Sequence, residues 1–320
     1  MRVLITGGMG VIGAEATRKF VVEGHRPVVY ARHRDERLIR DIIDKVDVEL
    51  GDINDSMRLA DIIKKYTVTH IVHAAGFISA LSTANPPLSI QVNVMGTVNV
   101  LEAARQLGIQ RIVYTSAKGV YGAFVGEYGY PTYKPVTEDY PKNPVRIYDS
   151  AKLMAEQTCF YYHTAFGLDT VILRFASTFG PGKTERHGKM GITSQIIEAP
   201  AKGRPFHLAQ GGDEKDDFIY NKDSALGIYL ATITGNLKQR AFNIGTGIGV
   251  TLNDFSRVLR RHFPNADIEI GPGLNFLGSA HPMAAVYDIG RARSELGYKP
   301  QYDLESAIAD YLESMSRLDL

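Results

Sequence analysis

Residues Thr6-Gly7-Gly8-Met9-Gly10-Val11-Ile12-Gly13 follow the apolar run Val3-Leu4-Ile5 and open a stretch with apolar residues at helical spacing, Val11 to Val22. The glycines fit two overlapping spacings, Gly8-x-Gly10-x-x-Gly13 and Gly7-x-x-Gly10-x-x-Gly13. Glycine permits the tight turn, lets backbone approach a pyrophosphate, and leaves helix N-terminal N–H groups aimed at the anion. A ligand-free glycine turn would carry the same letters. The position, after a strand and before a helix, is what points to a dinucleotide, with Gly7, Gly10, Ile12 and Gly13 as its contacts.

Outward from this loop, short β-branched runs alternate with longer helical patterns. Strands are expected at Val3 to Thr6, Pro27 to Ala31, Val46 to Leu50, Thr69 to His73, Arg111 to Ser116 and Thr170 to Arg174. Helices are expected at Val11 to Val22, Met57 to Ile63 and Val92 to Leu107. Such alternation implies right-handed crossovers and a parallel sheet covered on both faces. After Arg174 the rhythm turns to glycine- and proline-marked loops, as at Gly180-Pro181-Gly182 and Gly271-Pro272-Gly273. The fold class expected is α/β, a Rossmann-type doubly wound parallel sheet with a smaller, interleaved C-terminal substrate domain. Residues 1–174, with 212–249 contributing, would form the NAD(P)-binding domain, and 175–211 with 250–320 the substrate domain.

Composition narrows the partners. The 320 residues hold 36 basic and 35 acidic side chains, which removes the general electrostatic case for nucleic acid or an anionic membrane surface. No apolar run reaches the ~18 residues of a spanning helix. The chain opens directly on a strand-like run, leaving no room for a signal peptide, and its one cysteine, Cys159, suits a reducing cytoplasm. The nine histidines show no ligand spacing with acids or cysteines, so no catalytic metal is expected.

The end of the second strand chooses between dinucleotides. A carboxylate there grips a ribose 2′-hydroxyl and selects NAD; an arginine grips a 2′-phosphate and selects NADP. The stretch Val28-Val29-Tyr30-Ala31-Arg32-His33-Arg34 has no acid before Asp35. Arg32 or Arg34 is therefore a candidate phosphate ligand, and NADP is favoured over NAD, although both can also be ordinary surface arginines.

Tyr148 and Lys152, four apart on a helical stretch, share a face. A phenol with an ordinary pKa of about 10 is a poor base at neutral pH. A lysine ammonium one turn away and an oxidised nicotinamide both favour the phenolate, and the roughly 4 kcal/mol needed lies within reach of two close cations. Tyr148 can then exchange a proton with a carbinol or ketone.

Together these features resemble the extended short-chain dehydrogenases/reductases, specifically the NAD-dependent epimerase/dehydratase family. Further matches run nearly end to end: Gly51-Asp52-Ile53, His73-Ala74-Ala75-Gly76, Val120-Tyr121-Gly122, Leu173-Arg174-Phe175, Asp217-Phe218, Phe242-Asn243-Ile244-Gly245 and Leu296-Gly297-Tyr298-Lys299-Pro300. The resemblance implies that Asp52 and Ile53 flank adenine, that Ala74 and Ala75 line the cofactor, and that Tyr148 and Lys152 are catalytic. It also implies a homodimer through the helices containing Val92 to Leu107 and Ala151 to Thr164.

Two departures matter. Sugar-nucleotide epimerases carry a serine or threonine three residues before Val-Tyr-Gly, where this chain has Ala117; Ser116, with Thr115 behind it, is the candidate to orient the reacting oxygen. They also hold the nucleotide with an asparagine where this chain has Ser177, and with arginines where it has Asp216 and the stretch Ser279 to Met283. A replacement anchor is available in Lys183-Thr184-Glu185-Arg186-His187-Gly188-Lys189, with Lys183 and Arg186 as candidate substrate ligands beside Ser116, Ala117 and Ser177. The tyrosine-rich stretch Tyr121 to Tyr140 can wall a pocket or cover the sheet end. The reading is hydride transfer at a secondary alcohol or ketone of a small polyhydroxylated or related substrate. The alternatives are a sugar epimerase or dehydratase with retained cofactor and a non-catalytic dinucleotide-binding protein.

Overall fold

Four residues of β1 (Val3–Thr6) are fully buried, and the strand sits inside the sheet because apolar side chains on both its faces must be covered. In the computed structural model, which describes the backbone of residues 1–320 and all side chains except Ser79, Ala80 and Lys189, β1 pairs with both β2 (Val28–Ala31) and β4 (His70–His73). β3 (Asp47–Leu50), β5 (Arg111–Ala117), β6 (Thr170–Phe175) and the edge strand Ala241–Ile244 complete a seven-stranded, all-parallel sheet. Its order, from Ala241–Ile244 through β6, β5, β4, β1 and β2 to β3, reverses direction between β1 and β4. A crevice opens at such a reversal, outside the carboxyl ends of the strands.

Helix α1 (Val11–Val22) starts where the glycine loop ends and packs against the helix Asn221–Ile233. The expected helix from Val92 to Leu107 is broken into a π-helical turn, Gln91–Met95, followed by an α-helix, Gly96–Gln106. The wide turn lets Asn93 accept from the Phe77 N–H at 2.8 Å and donate to the Phe77 carbonyl at 3.0 Å, fixing the segment after β4. Beyond β6, the strands Ser177–Phe179, Asp216–Tyr220 and Gly249–Val250 form a small mixed sheet. Its apolar side chains, including Phe179 and Phe218, join Ile196, Phe255 and Tyr311 in a core of their own. The tyrosine-rich stretch covers the sheet end: the rings of Tyr121, Phe124, Tyr128 and Tyr140 pack against one another in tilted and edge-on contacts, and none of them lines a cavity described below. No helix among the described residues is long and apolar enough to cross a membrane.

Candidate active site

Two cavities lie at the carboxyl ends of the strands. The first, of about 260 Å³, is lined by Gly7 and Gly10 after β1, Tyr30, Arg32 and Asp35 at and after β2, Asp52 and Ile53 after β3, and Ala75 after β4. Its glycines are there because nothing larger fits. Gly7 has a φ of +71°, and a Cβ on it would stand 2.7 Å from the Ala75 nitrogen. A Cβ on Gly13 would stand 2.1 Å from the Gly7 carbonyl oxygen. The N-terminus of α1, capped by Gly10 without any side-chain hydrogen bond, faces this cradle. Backbone this close, with an uncapped helix end, fits a dinucleotide pyrophosphate.

The sequence-predicted cofactor residues distribute as follows. Gly7, Gly10, Arg32, Asp52, Ile53 and Ala75 line this cavity. Gly13 and Ala74 pack around Gly7 just behind it, and Ile12 lines the second cavity instead. Arg34 does not reach the cavity; its guanidinium pairs with Glu36 in solvent. Arg186, expected to hold substrate, is corrected by the structure: it enters the first cavity, donating to the Met9 carbonyl at 2.7 Å and to Asp35 at 2.6 Å.

The second cavity, of about 210 Å³, gathers Ser116, Ala117, Lys118, Arg146, Tyr148, Asp149, Ser177, Lys183 and His187. Tyr148 and Lys152 stand on the helix Ile147–Phe166, whose first turn abuts the end of β5. The Tyr148 hydroxyl has no hydrogen bond to a described residue, leaving it available at the cavity. Lys152 is buried, donates to the Thr115 carbonyl at 2.8 Å and lies 5.9 Å from the centre of the Tyr148 ring. Burial, reinforced by the Asp149 carboxylate and opposed by Arg146, pushes the phenol above its ordinary value, while burial pulls Lys152 down to about 8. Desolvation thus opposes the phenolate here, and the Lys152 ammonium, bonded to the Thr115 carbonyl, does not offset it. The protonated phenol is a proton donor.

Ser116 reaches the cavity, but its hydroxyl donates to Glu156 at 2.5 Å. Glu156 is fully buried and forms a two-pronged pair with Arg174. A substrate oxygen would have to compete with that carboxylate for the Ser116 proton, and the neighbouring Ala117 presents only a methyl. Ser177 is similarly engaged, donating to Asp216. Lys183 lines the cavity, bonded to the Thr178 carbonyl with no carboxylate partner among the described residues; burial first, and Lys118 second, pull its pKa down to about 8. The Lys189 side chain lies outside the described residues.

The residue-by-residue reading missed Lys118. Its buried ammonium donates to both oxygens of Asp216, at 2.5 and 2.6 Å, and to Ser177 at 2.8 Å. The available signal was a charge reversal: an acid at Asp216, where an arginine was expected, invites a buried cation somewhere else. Arg146 and Asp149 form a second internal pair at 2.6 Å. Among the described residues one trio, His207, Asp267 and Glu269, places possible metal-ligand atoms within 4.8 Å, but all three are exposed and none lines either cavity.

Known proteins resemble this chain in sequence and fold. Residues 3–245 match the model of the NAD dependent epimerase/dehydratase family. A UDP-glucose 4-epimerase of Mycolicibacterium smegmatis is 30% identical over 320 residues, covering 98% of each chain. The crystal structure of a UDP-glucose 4-epimerase from Brucella ovis in complex with NAD is 26% identical, with a TM-score of 0.79 over 96% of both chains. An L-threonine dehydrogenase from Clostridium difficile is also 26% identical, with a TM-score of 0.83 over 99% of this chain and 98% of that one. With its glycine cradle, its tyrosine–lysine pair and a match across three quarters of its length, the chain belongs to the NAD-dependent epimerase/dehydratase family of the short-chain dehydrogenase/reductase superfamily, enzymes that transfer hydride with a nicotinamide dinucleotide.

Proposed function

We propose that this enzyme is an NADP-preferring oxidoreductase that interconverts a secondary alcohol and a ketone on a small substrate without a nucleotide diphosphate handle. One observation carries the substrate part. Asp216, where sugar-nucleotide enzymes of the family are expected to place an arginine, is buried and saturated by Lys118 and Ser177. Arg146 is likewise neutralised by Asp149, so the cavity offers no free guanidinium fork to a diphosphate. The NADP preference rests on Arg32 in the first cavity and on the lack of an acid at the end of β2.

When bound, the cofactor supplies or accepts the hydride. Tyr148 gives its phenolic proton to the ketone oxygen, or takes one from the carbinol in the opposite direction. Lys152, anchored on the Thr115 carbonyl beneath the site, contributes positive charge that favours the phenolate once the proton has left. Ser116 orients the substrate oxygen after exchanging its bond to Glu156. Lys183 balances a negative group on the substrate. Exposed Met95, Met154 and Tyr161, on the two outer helical segments, support a homodimer.

The relatives named as 4-epimerases favour a second reading, in which hydride is removed and returned within one cycle by a cofactor that never leaves. Denaturing freshly purified protein and quantifying the nicotinamide nucleotide released separates the two. Protein that emerges empty and binds NADP more tightly than NAD supports the proposal; near-stoichiometric NAD(H) overturns it in favour of the epimerase. Tyr148→Phe is expected to lower turnover by about 10²- to 10⁴-fold while leaving dinucleotide affinity within about threefold; retained turnover would remove Tyr148 from its role.

A further inference from the structure

The short helix Lys183–His187 lies between the two cavities: Lys183 and His187 line the second and Arg186 the first. Arg186 is pinned from two sides. One terminal nitrogen donates to the carbonyl of Met9, inside the glycine loop, and the other to Asp35, in the segment after β2. These two anchors are themselves joined, since the Asp35 N–H donates to the Met9 sulfur at 3.3 Å. The guanidinium therefore stands where the glycine loop meets the segment following the second strand. In dinucleotide-binding folds, the adenosine ribose presents its 2′ oxygen at the end of that strand. Arg32 and His33, which directly follow that strand, line the same cavity.

The hydrogen bonds made by Arg186 use two of its five N–H groups and leave three for a ligand. Its carboxylate partner does not depend on it alone. Asp35 is also held by a two-pronged pair with Arg37, at 3.0 Å to each oxygen. The hydrogen bonds from Arg37 are the main cause of an Asp35 pKa lowered to about 2, with the charge of Arg186 contributing less. Asp35 thus keeps a counter-ion when Arg186 turns toward a phosphate.

We infer that Arg186 is a specificity residue for the cofactor, which together with Arg32 forms the pocket for the 2′-phosphate of NADP. The inference rests on the NADP reading above but adds a residue that comes from the substrate half of the chain, more than 150 positions after Arg32. It accounts for an arginine that a substrate role would leave facing the wrong cavity. Because one helix supplies both Arg186 and the Lys183 wall of the substrate cavity, the cofactor phosphate and the substrate share a structural element.

The test is calorimetric titration of NADP, NAD and adenosine 2′,5′-bisphosphate into wild type, Arg186→Gln and Asp35→Asn, with folding checked by thermal unfolding. Arg186→Gln is expected to weaken NADP and adenosine 2′,5′-bisphosphate by about 10- to 100-fold and to leave NAD within about threefold, as expected for losing charge-assisted bonds to one phosphate. Asp35→Asn removes the competing carboxylate and is expected to strengthen NADP binding severalfold while NAD stays level; it decides the matter if Arg186→Gln does not fold. Equal losses for NAD and NADP would place Arg186 on the pyrophosphate both share and overturn the inference, as would unchanged NADP affinity. Wild type that binds NAD more tightly than NADP would overturn the NADP reading itself, and the inference with it. Wild type that prefers NADP, paired with an Arg186→Gln protein of unaltered preference, would overturn the inference alone.

Discussion

Lys152 illustrates how far a side chain's chemistry depends on what surrounds it. Its spacing from Tyr148 is plain in the sequence, yet its ammonium is bonded to the Thr115 carbonyl and buried to the point where its pKa falls to about 8. The thermodynamic consequence has a definite sign. Between about pH 8 and the ordinary lysine value of about 10.4, the unfolded chain holds a proton at Lys152 that the native chain has lost. Stability relative to Lys152→Met is therefore expected to rise with pH across that window, by up to about 1.4 kcal/mol per unit, and to be flat below it. Urea unfolding of both proteins across the window measures this, and a constant difference would show that Lys152 keeps its ordinary pKa. Other residues matched to family motifs prove to be structural. Arg174 donates to the Tyr121 hydroxyl and the Glu138 carbonyl, and Tyr121 donates to Asn243, so one buried network joins three motifs. Their letters alone do not distinguish that scaffold from a catalytic role.

Secondary structure was legible wherever local pattern and burial agree. The strands expected from β-branched runs stand within a residue of β1 to β6, because doubly buried parallel strands must be apolar on both faces. The edge strand Ala241–Ile244 was not among them. It is four residues long with a polar Asn243 inside it, and only pairing with β6 and hydrogen bonds to Val136 and Glu138 make it a strand. The break in the helix from Val92 to Leu107 was equally hidden, since the bonds that accompany it join Asn93 to the Phe77 backbone, 16 residues upstream. The Lys118–Asp216 pair ties the turn after β5 to the strand Asp216–Tyr220 in the same long-range way. Lys118→Met strands a buried carboxylate and is expected to cost about 3–5 kcal/mol, whereas Lys118→Met with Asp216→Leu recovers most of that. Chemical denaturation of the two variants distinguishes this from a weak pair, for which the single change would cost less than about 1 kcal/mol.

Across the assembled molecule, the outer face of the helix Ile147–Phe166 leaves Met154 and Tyr161 about half exposed or more, two turns apart on one side, with Met95 also exposed on a segment packed against that helix. If a second copy covers this face, light scattering should give a dimer mass, and Met154→Glu should yield monomers with the dinucleotide cavity intact; an unaltered mass would exclude this surface. The glycine spacing, the alternation of strands and helices and the tyrosine–lysine spacing were all readable from residue order, because each is a pattern among residues close together in the chain. Tertiary structure decided the placement of charge: Arg186 beside Asp35, 151 positions away, Lys118 beside Asp216, 98 away, and Ser116 beside Glu156, 40 away. A buried charge is governed by whichever partner folding brings within hydrogen-bonding distance, and no local periodicity encodes that partner.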